Sequence, residues 1–170
     1  MIRLLKNLVF LCFIFFVGYI FGVKEVRFVE IISSSMEPTL MPGDRVVVVK
    51  KDVLKRYDIV LIEAPQGKKE PLTKRIVGLP CEKIEIKDGS VFIDGRKIKE
   101  PYLEEERPSY SLEVEIPEDH YFLLGDNRNR SEDSSVWGPV DASLIKARVV
   151  CRYWPLKRIS LLRTPVFLKR

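Results

Sequence analysis

An uncharged apolar run near the N-terminus constrains the fold of this chain more than any other feature. Residues 8–23 carry no charged side chain, and with the apolar residues around Lys6 they approach the ~20 residues that a helix needs to cross a bilayer. A buried core helix is disfavoured because the chain offers no second helix of similar character. A cleaved secretory signal is disfavoured because pairs such as Ile20 and Gly22 form a poor cleavage site. We therefore predict an uncleaved signal anchor that crosses the membrane once, over residues 7–23.

The charges on either side of this run predict its orientation. Arg3, Lys6 and the terminal amine precede it, whereas the basic side chains just after it alternate with acidic ones. Positive charge is retained on the cytoplasmic side of a membrane. We expect residues 1–6 in the cytoplasm and an exported domain over residues 24–155 on the outer, periplasmic or extracellular face of the cytoplasmic membrane.

The net charge of +5 is concentrated at the C-terminal end. The body before it is neutral, which argues against nucleic acid as a partner because a nucleic-acid-binding domain has a basic face. A basic, amphipathic tail over residues 156–170 suits an anionic lipid surface instead, although an end partly packed on the sheet is an equal alternative. The basic residues after Trp154 are Lys157, Arg158, Arg163, Lys169 and Arg170.

Short segments rich in β-branched residues predict a mainly β domain. Glycine and proline separate them, and Asp88-Gly89 joins two of them in a strong hairpin signal. We expect an antiparallel, curled or barrel-like sheet behind the transmembrane helix, with an exposed loop over residues 101–108. The predicted strands cover residues 45–50, 58–63, 72–80, 83–87, 90–93, 112–116, 121–124 and 147–154.

The three cysteines, Cys12, Cys81 and Cys151, lack the close spacing of a metal site. We expect neither a metal nor a cofactor. Cys81 and Cys151 are able to pair if the domain lies outside the cytoplasm, but the sequence leaves that pairing open.

Three consecutive serines provide the first candidate for chemistry. Ser33, Ser34 and Ser35 follow two isoleucines and precede Pro38, which disfavours helical geometry at the residue before it. An extended or turning segment of this kind can hold one hydroxyl in a fixed position. A solvated loop is equally serine-rich, so a catalytic role requires a base.

Lys74 is the candidate base. The single histidine, His120, precedes a predicted strand in a position typical of an edge residue. Lys74 lies in an otherwise apolar strand, where charged side chains are rare unless they have a task. Burial disfavours the ammonium form and lowers the pKa of a lysine, which allows the neutral amine to accept a proton. Arg75 should point to the opposite face of the strand.

Three sequence blocks, taken together, resemble the bacterial type I signal peptidases. They occur in the order of that family behind one anchor, and the short span between the second and third blocks implies its compact version. The resemblance implies a membrane-bound serine endopeptidase that removes signal peptides from exported preproteins without a cofactor. The blocks are Ser-Met-Glu-Pro-Thr-Leu at 35–40, Lys-Arg-Ile-Val-Gly-Leu-Pro at 74–80 and Gly-Asp-Asn-Arg-Asn-Arg-Ser-Glu-Asp-Ser-Ser-Val-Trp-Gly at 125–138.

The resemblance also implies roles for the matching positions. Ser35 would be the nucleophile and Lys74 its general base. The Ser33 hydroxyl would join the Ser35 backbone N–H in the oxyanion hole. Ser131 would orient the lysine amine, and Asp133 would hold that loop.

Substrate recognition follows from the same resemblance. Ile31, Met36 and Leu40 fall near positions that line shallow pockets for small side chains, usually alanine, one and three places before the cut. The signal peptide would bind as an added strand. Gly125, Asp126 and Asn127 match the structural opening of the third block.

The chain departs from the family pattern at two sites. Cys81 and Glu82 stand where the family has Gly-Asp, and Ser135 stands where it has arginine. The second departure removes the usual partner of Asp133. The candidates to replace that arginine are Arg75, Arg128 and Arg130.

Two alternatives to a general signal peptidase remain at this point. One is a specialised relative that matures a dedicated pilin-like substrate, which substrate profiling would distinguish. The other is a catalytically silent, membrane-tethered β-module that binds exported chains. The second alternative is disfavoured because a binding module needs none of the residues that the family uses for catalysis. The chain retains all of them, namely Ser33, Ser35, Lys74, Ser131 and Asp133.

Overall fold

The structure is a computed structural model that describes residues 25–51, 53–65, 67, 70–103 and 108–162, with Lys6, Phe10 and Gly18 from the preceding region. The predicted anchor over residues 7–23 therefore lies outside the described residues, apart from Phe10 and Gly18. Within the described ranges, no helix combines the length and the apolar character that crossing a membrane requires.

Strands are the main secondary structure in the described ranges from residue 25 onward. One turn of α-helix, α1 (Ser134–Trp137), accompanies them in these ranges, with 3₁₀ turns at Ser34–Met36, Ala142–Leu144 and Leu156–Arg158. In chain order the strands are β1 (Val26–Glu30), β2 (Arg45–Lys50), β3 (Ile59–Ile62), β4 (Leu72–Gly78), β5 (Lys83–Lys87), β6 (Ser90–Ile93), β7 (Arg96–Lys97), β8 (Leu112–Glu115), β9 (His120–Leu124), β10 (Val140–Asp141), β11 (Ile145–Trp154) and β12 (Ser160–Leu161).

These strands form two antiparallel sheets. The large sheet has the order β1-β2-β11-β3-β4-β9-β10, with β12 beside β11, and the small sheet has the order β7-β6-β5-β8. The prediction of a mainly β, antiparallel domain is confirmed. The expected barrel is wrong, because the edge strands β1 and β10 do not pair with each other and the sheet stays open.

Side-chain alternation explains the strands that the sequence predicted. In β5, Ile84 and Ile86 are fully buried, whereas the lysines at both ends are exposed. Asp88 and Gly89 have φ values of 48° and 68°, as the two-residue turn between β5 and β6 requires. The predicted hairpin is confirmed.

Strands β1, β7, β10 and β12 are absent from the sequence prediction. β1 carries Arg27 and Glu30 and leaves most of its side chains at the surface, so it has no alternating apolar pattern. It forms because every residue pairs with β2, from Val26 opposite Val49 to Glu30 opposite Arg45. The other three strands have two residues each, which is too short for a pattern.

β4 is the strand that positions the site, and it is buried on both faces from Lys74 to Gly78. Ile76 packs into a core beneath the large sheet, while Val77 packs into the core that this sheet shares with the small sheet. Arg75 points away from Lys74 as strand alternation predicts. Because β4 is packed on both faces, the backbone from which the Lys74 side chain extends is held in place.

The segment after Trp154 packs on the large sheet. The 3₁₀ turn Leu156–Arg158 leads into β12, which pairs with β11 through Cys151 opposite Leu161. The described part of the predicted tail thus follows the second of the two alternatives, an end packed on the sheet. Residues 163–170 lie outside the described residues.

Cys81 and Cys151 are both free, so the pairing that the sequence left open is not formed. Cys81 has a φ of 63°, the left-handed conformation that favours glycine, at a position where the family pattern has glycine. Glu82 closes the turn, because its carboxylate accepts a hydrogen bond from the Leu79 N–H at 2.7 Å and pairs with Arg56. The departure at Cys81 and Glu82 is therefore accommodated within one turn.

Replacing Gly78 with alanine should destabilise the fold. A Cβ at this position would lie 2.2 Å from Ile116 Cδ1 and 2.9 Å from Phe122 Cβ, where β4 meets the small sheet. Overpacking of this kind costs about 1–3 kcal/mol. Chemical denaturation of the purified protein measures the loss, with Val136→Ala, at an exposed side chain, as the near-neutral control. Equal stability of the two variants would contradict the packing.

Candidate active site

The serine-rich segment forms a 3₁₀ turn over Ser34–Met36. Ser33 precedes the turn in extended geometry, and its Oγ accepts a hydrogen bond from the Ser35 N–H at 3.2 Å. The Leu40 N–H donates to the Met36 carbonyl at 2.9 Å, so the chain continues into a second tight turn. The expectation of an extended segment that turns at the serines is confirmed.

Burial distinguishes Ser35 from the two serines before it. Ser33 and Ser34 are exposed, whereas Ser35 is only 6% exposed. The capping interaction places the Ser33 hydroxyl beside the Ser35 N–H. The Ser35 hydroxyl, the Ser35 N–H and the Ser33 hydroxyl therefore lie close together at the start of the turn.

These serines open onto a cleft of about 330 Å³. One wall is formed by residues 29–36 and includes Ser33 and Ser35, and the other wall is formed by residues 70–73. Apolar side chains dominate the lining. Ile31 and Met36 lie on the first wall, whereas Leu40 is completely buried in the core beneath and is not one of the lining residues.

Lys74 emerges from β4 beside the second wall of the cleft. Its side chain is almost completely buried, with 2% of the residue exposed. Its Nζ donates a hydrogen bond to Ser131 Oγ at 2.9 Å. The 3₁₀ turn that carries Ser35 packs against β4, so the same strand supports both candidate catalytic residues.

The loop over residues 125–133 connects the two candidates. The Asn127 N–H donates to the Ser35 carbonyl at 3.0 Å, while Ser131 in the same loop binds Lys74. A Cβ at Gly125 would lie 2.2 Å from Ser131 Oγ and 2.5 Å from the Ser35 carbonyl oxygen. The Ser131 hydroxyl and the Ser35 carbonyl oxygen therefore both pack against Gly125, and a residue larger than glycine would clash with them.

Asp133 holds this loop from inside the protein. It is completely buried, and its Oδ2 accepts a hydrogen bond from the Gly125 N–H at 2.8 Å. Its Oδ1 accepts from the Ser135 N–H at 3.0 Å and from the Ser135 hydroxyl at 2.8 Å, which caps α1. The carboxylate thus has three donors, and each of them comes from within residues 125–135.

The arginine that the family pattern has at position 135 is replaced by a hydroxyl. The expectation that Arg75, Arg128 or Arg130 substitutes is wrong, because none of the hydrogen bonds that the structure describes for Asp133 comes from an arginine. Arg75 instead forms a buried two-bond pair with Asp126, at 2.8 and 2.6 Å. Arg128 pairs with Glu100, and Arg130 is exposed.

Glu100 and Tyr102 are supporting residues that the sequence analysis missed. The Arg75 guanidinium lies 3.9 Å from the centre of the Tyr102 ring, and the Tyr102 hydroxyl donates to Glu100 at 2.7 Å. Burial raises the pKa of Tyr102, and the charge of Glu100 raises it further, so the hydroxyl stays a donor. Within the expected exposed loop, Pro101 is exposed, but Tyr102 is half-buried and covers the Arg75 guanidinium. No local pattern marks this contact.

The site so assembled contains the parts of an amide-cleaving centre. The Ser35 hydroxyl and the two potential oxyanion donors line the cleft, and the buried amine extends from the residue next to its second wall. No group of three metal-ligating side chains occurs within the described residues. Residues 1–154 match the family profile of signal peptidase, peptidase S26. The chain belongs to this signal peptidase family.

Individual relatives agree with this assignment. The chain is 36% identical over 150 residues to a probable signal peptidase I-2 of Synechocystis sp., an alignment that covers 82% of this chain and 67% of the relative. It is 36% identical over 155 residues to signal peptidase I of Leptolyngbya laminosa, covering 84% and 75%. The crystal structure of a signal peptidase I from Enterococcus faecalis V583 superposes with a TM-score of 0.52 at 29% identity, covering 57% of this chain and 97% of that one.

Family membership makes the protein a serine endopeptidase that removes signal peptides. It confirms the family inferred from the three sequence blocks. It also sets aside the alternative of a silent β-module that only binds exported chains.

Gly125→Ala should lower signal peptidase activity by at least about 10²-fold. The added methyl group meets the Ser35 carbonyl, a backbone atom that cannot rotate away, so the turn bearing Ser35 must shift. Cleavage of a preprotein per mole of folded enzyme measures this loss. Gly78→Ala is the matched control, because it strains the fold away from the cleft and should keep its activity per folded molecule.

Proposed function

We propose that this signal peptidase cleaves its substrates through an acyl-enzyme, with Ser35 as the nucleophile and Lys74 as the general base. One observation supports this assignment most directly. The buried amine of Lys74 binds Ser131 in a loop whose Gly125 and Asn127 also contact the backbone of Ser35. A lysine with a purely structural role would not need a hydrogen-bond acceptor in a loop that also contacts the backbone of Ser35.

Burial supports the neutral form of Lys74 that a general base requires. Desolvation penalises the ammonium ion, so burial favours the neutral amine. The positive charge of the neighbouring Arg75 is matched by Asp126 in a two-bond pair. The lysine is therefore the buried basic group that is proposed to serve Ser35.

The reaction follows from these positions in two half-reactions. Neutral Lys74 takes the proton of the Ser35 hydroxyl as Oγ attacks the scissile carbonyl, and the protonated amine then gives that proton to the leaving amine. Water then enters, loses a proton to Lys74 and attacks the ester carbonyl. The bond to Ser35 Oγ breaks, Oγ takes the proton back from Lys74, and the signal peptide leaves with a free carboxylate. One titrating group serves both steps, and Ser131 keeps it oriented.

Ser33 and the Ser35 N–H are proposed to stabilise the oxyanion. The Ser35 N and the Ser33 Oγ lie 3.2 Å apart beside the cleft, and the N–H donates to the hydroxyl in this structure. The negative oxygen of the tetrahedral intermediate is proposed to take the place of the Ser33 hydroxyl as acceptor of this N–H and to accept a hydrogen bond from the hydroxyl as well. Asp133 supports this arrangement from a distance by holding Gly125.

The substrate is proposed to bind as an extended strand along β4. β9 pairs with β4 only at Arg75, Ile76 and Gly78, and β3 occupies the opposite edge. The first half of β4, Leu72–Lys74, therefore has a second edge that no described strand covers, and this edge faces the cleft. Ile31 and Met36 line the opposite wall of the cleft. The space beside them is proposed to accept the small side chains of the signal peptide.

The first test of this proposal is cleavage of a preprotein by single-residue variants. Ser35→Ala and Lys74→Ala should each lower the rate by at least about 10³-fold, because each removes one half of the dyad. Ser33→Ala should cost about 10²–10³-fold as one oxyanion donor is lost. Lys83→Ala is the matched control, since Lys83 is an exposed lysine at the end of β5. An active Lys74→Ala enzyme would exclude the lysine as base.

The dependence of the wild-type rate on pH belongs to the same test. Protonation of Lys74 removes the base, so the rate should fall as the pH drops through the pKa of its amine. A rate that stays constant on the acid side until the protein unfolds would contradict a lysine base.

We further propose that residues 7–23 anchor the enzyme in the cytoplasmic membrane with the catalytic domain outside. β1 begins at Val26, directly after this run, and its exposed Phe28 heads a cross-strand row. The row continues through Val47 and Cys151 to the exposed Leu161. An apolar row that starts where the anchor ends is suited to contact with lipid.

Protease digestion of membrane vesicles should distinguish the two orientations of the domain. In right-side-out vesicles the domain should be cleaved by added protease, and in inverted vesicles it should be protected until detergent is added. Protection of the domain in right-side-out vesicles would show the opposite orientation. Recovery of the intact protein in the soluble fraction would exclude the anchor.

A further inference from the structure

The turn that follows Ser35 is held by two arginines from the opposite end of the chain. Arg158 donates to the Pro38 carbonyl at 3.3 Å, and Arg152 donates to the Thr39 carbonyl at 2.6 Å. Both side chains reach this turn from beyond the cleft, Arg152 from β11 and Arg158 from the 3₁₀ turn after it. Neither contact follows from the three sequence blocks.

Asp44 fixes both guanidinium groups at once. It is buried, and its two oxygens pair with Arg158 at 2.9 Å and with Arg152 at 3.2 Å. Its Oδ2 also accepts from the Met41 N–H at 2.9 Å, so it belongs to the same stretch of chain as the turn. The Arg158 carbonyl accepts from Arg152 Nε at 2.6 Å and closes the cluster.

The geometry of Arg158 requires a forked donor. One of its terminal nitrogens binds the carboxylate of Asp44 while the other binds the carbonyl of Pro38. A guanidinium presents several donors in a fixed plane, whereas a lysine amine is a single point that cannot reach both acceptors in the same way.

We propose that Arg158 is a positioning residue for the cleavage reaction, an inference that rests on the proposed role of Ser35. It anchors the far end of the nucleophile turn, while Asn127 anchors the Ser35 carbonyl from the other side. Ser35 is thereby held between the 125–133 loop and the C-terminal segment, and the segment over residues 155–162 is part of the active-site scaffold.

This position makes Arg158 act on the chemical step more than on substrate binding. The Pro38 carbonyl lies three residues after Ser35 and belongs to the turn closed by the Leu40-to-Met36 hydrogen bond. A shift there moves the Ser35 hydroxyl relative to Lys74, and a misplacement of ~1 Å costs about 10²-fold in rate. The wall over residues 70–73 is on the other side of the cleft and is not part of this cluster.

The test compares Arg158→Gln and Arg158→Lys with Lys157→Ala in the full-length enzyme. Lys157 is the neighbouring exposed residue of the same 3₁₀ turn and serves as the matched control. Kinetics on a preprotein should show kcat lowered by about tenfold in both Arg158 variants, with KM within twofold of wild type, and no change for Lys157→Ala. The folded fraction of each variant, measured by near-ultraviolet circular dichroism, normalises the rates.

Three results would overturn the proposal. The first is a wild-type kcat in both Arg158 variants, and the second is a loss of activity that the unfolded fraction accounts for. The third is a rise in KM with unchanged kcat, which would place Arg158 in substrate binding. Ser35→Ala assayed in parallel separates this inference from the dyad itself, because an active Ser35→Ala enzyme would remove the proposed mechanism whatever Arg158 does.

Discussion

The burial of one amine, that of Lys74, sets the requirements that the rest of the structure meets. A buried amine is costly unless it is neutral or well partnered, and its position must be rigid for it to serve a hydroxyl in the adjacent turn. Both conditions follow from β4, which is packed on both faces from Lys74 to Gly78. Ser131 supplies a hydrogen-bond acceptor for the amine, and the loop that carries Ser131 has to be as rigid as the strand.

Rigidity of that loop comes from buried charges whose partners lie close by. Asp133 collects donors from Gly125 and Ser135, and the nearby Arg75 and Arg128 are matched by Asp126 and Glu100. The carboxylate of Asp133 has a side-chain donor although position 135 holds a serine, because the short Ser135 hydroxyl reaches it directly at 2.8 Å.

The turn that bears Ser35 is supported from both sides, and the cleft lies beside the part of β4 that does not pair with β9. Asn127 holds the Ser35 carbonyl, while Arg158 and Arg152 hold the carbonyls of Pro38 and Thr39. β9 stops pairing at Arg75, which leaves the first half of β4 uncovered beside the serines. A closed barrel would have filled this edge with a strand of the protein itself, and a substrate strand could not pair there.

Local pattern was sufficient to predict the strands with alternating side chains, the Asp88-Gly89 turn, the serine-rich segment and the candidate base Lys74. These features depend on spacing within a few residues and on the rarity of a lysine in an apolar strand, both of which the sequence displays directly. The choice of Ser35 among the three serines came from the resemblance to the family. Tertiary structure alone decided that β1 and β12 are strands, that the sheet is open, that Tyr102 covers Arg75, and that Arg158 reaches Pro38. Each of these depends on backbone pairing or on a guanidinium contact between residues far apart in the chain, and such contacts have no local period from which they could be predicted.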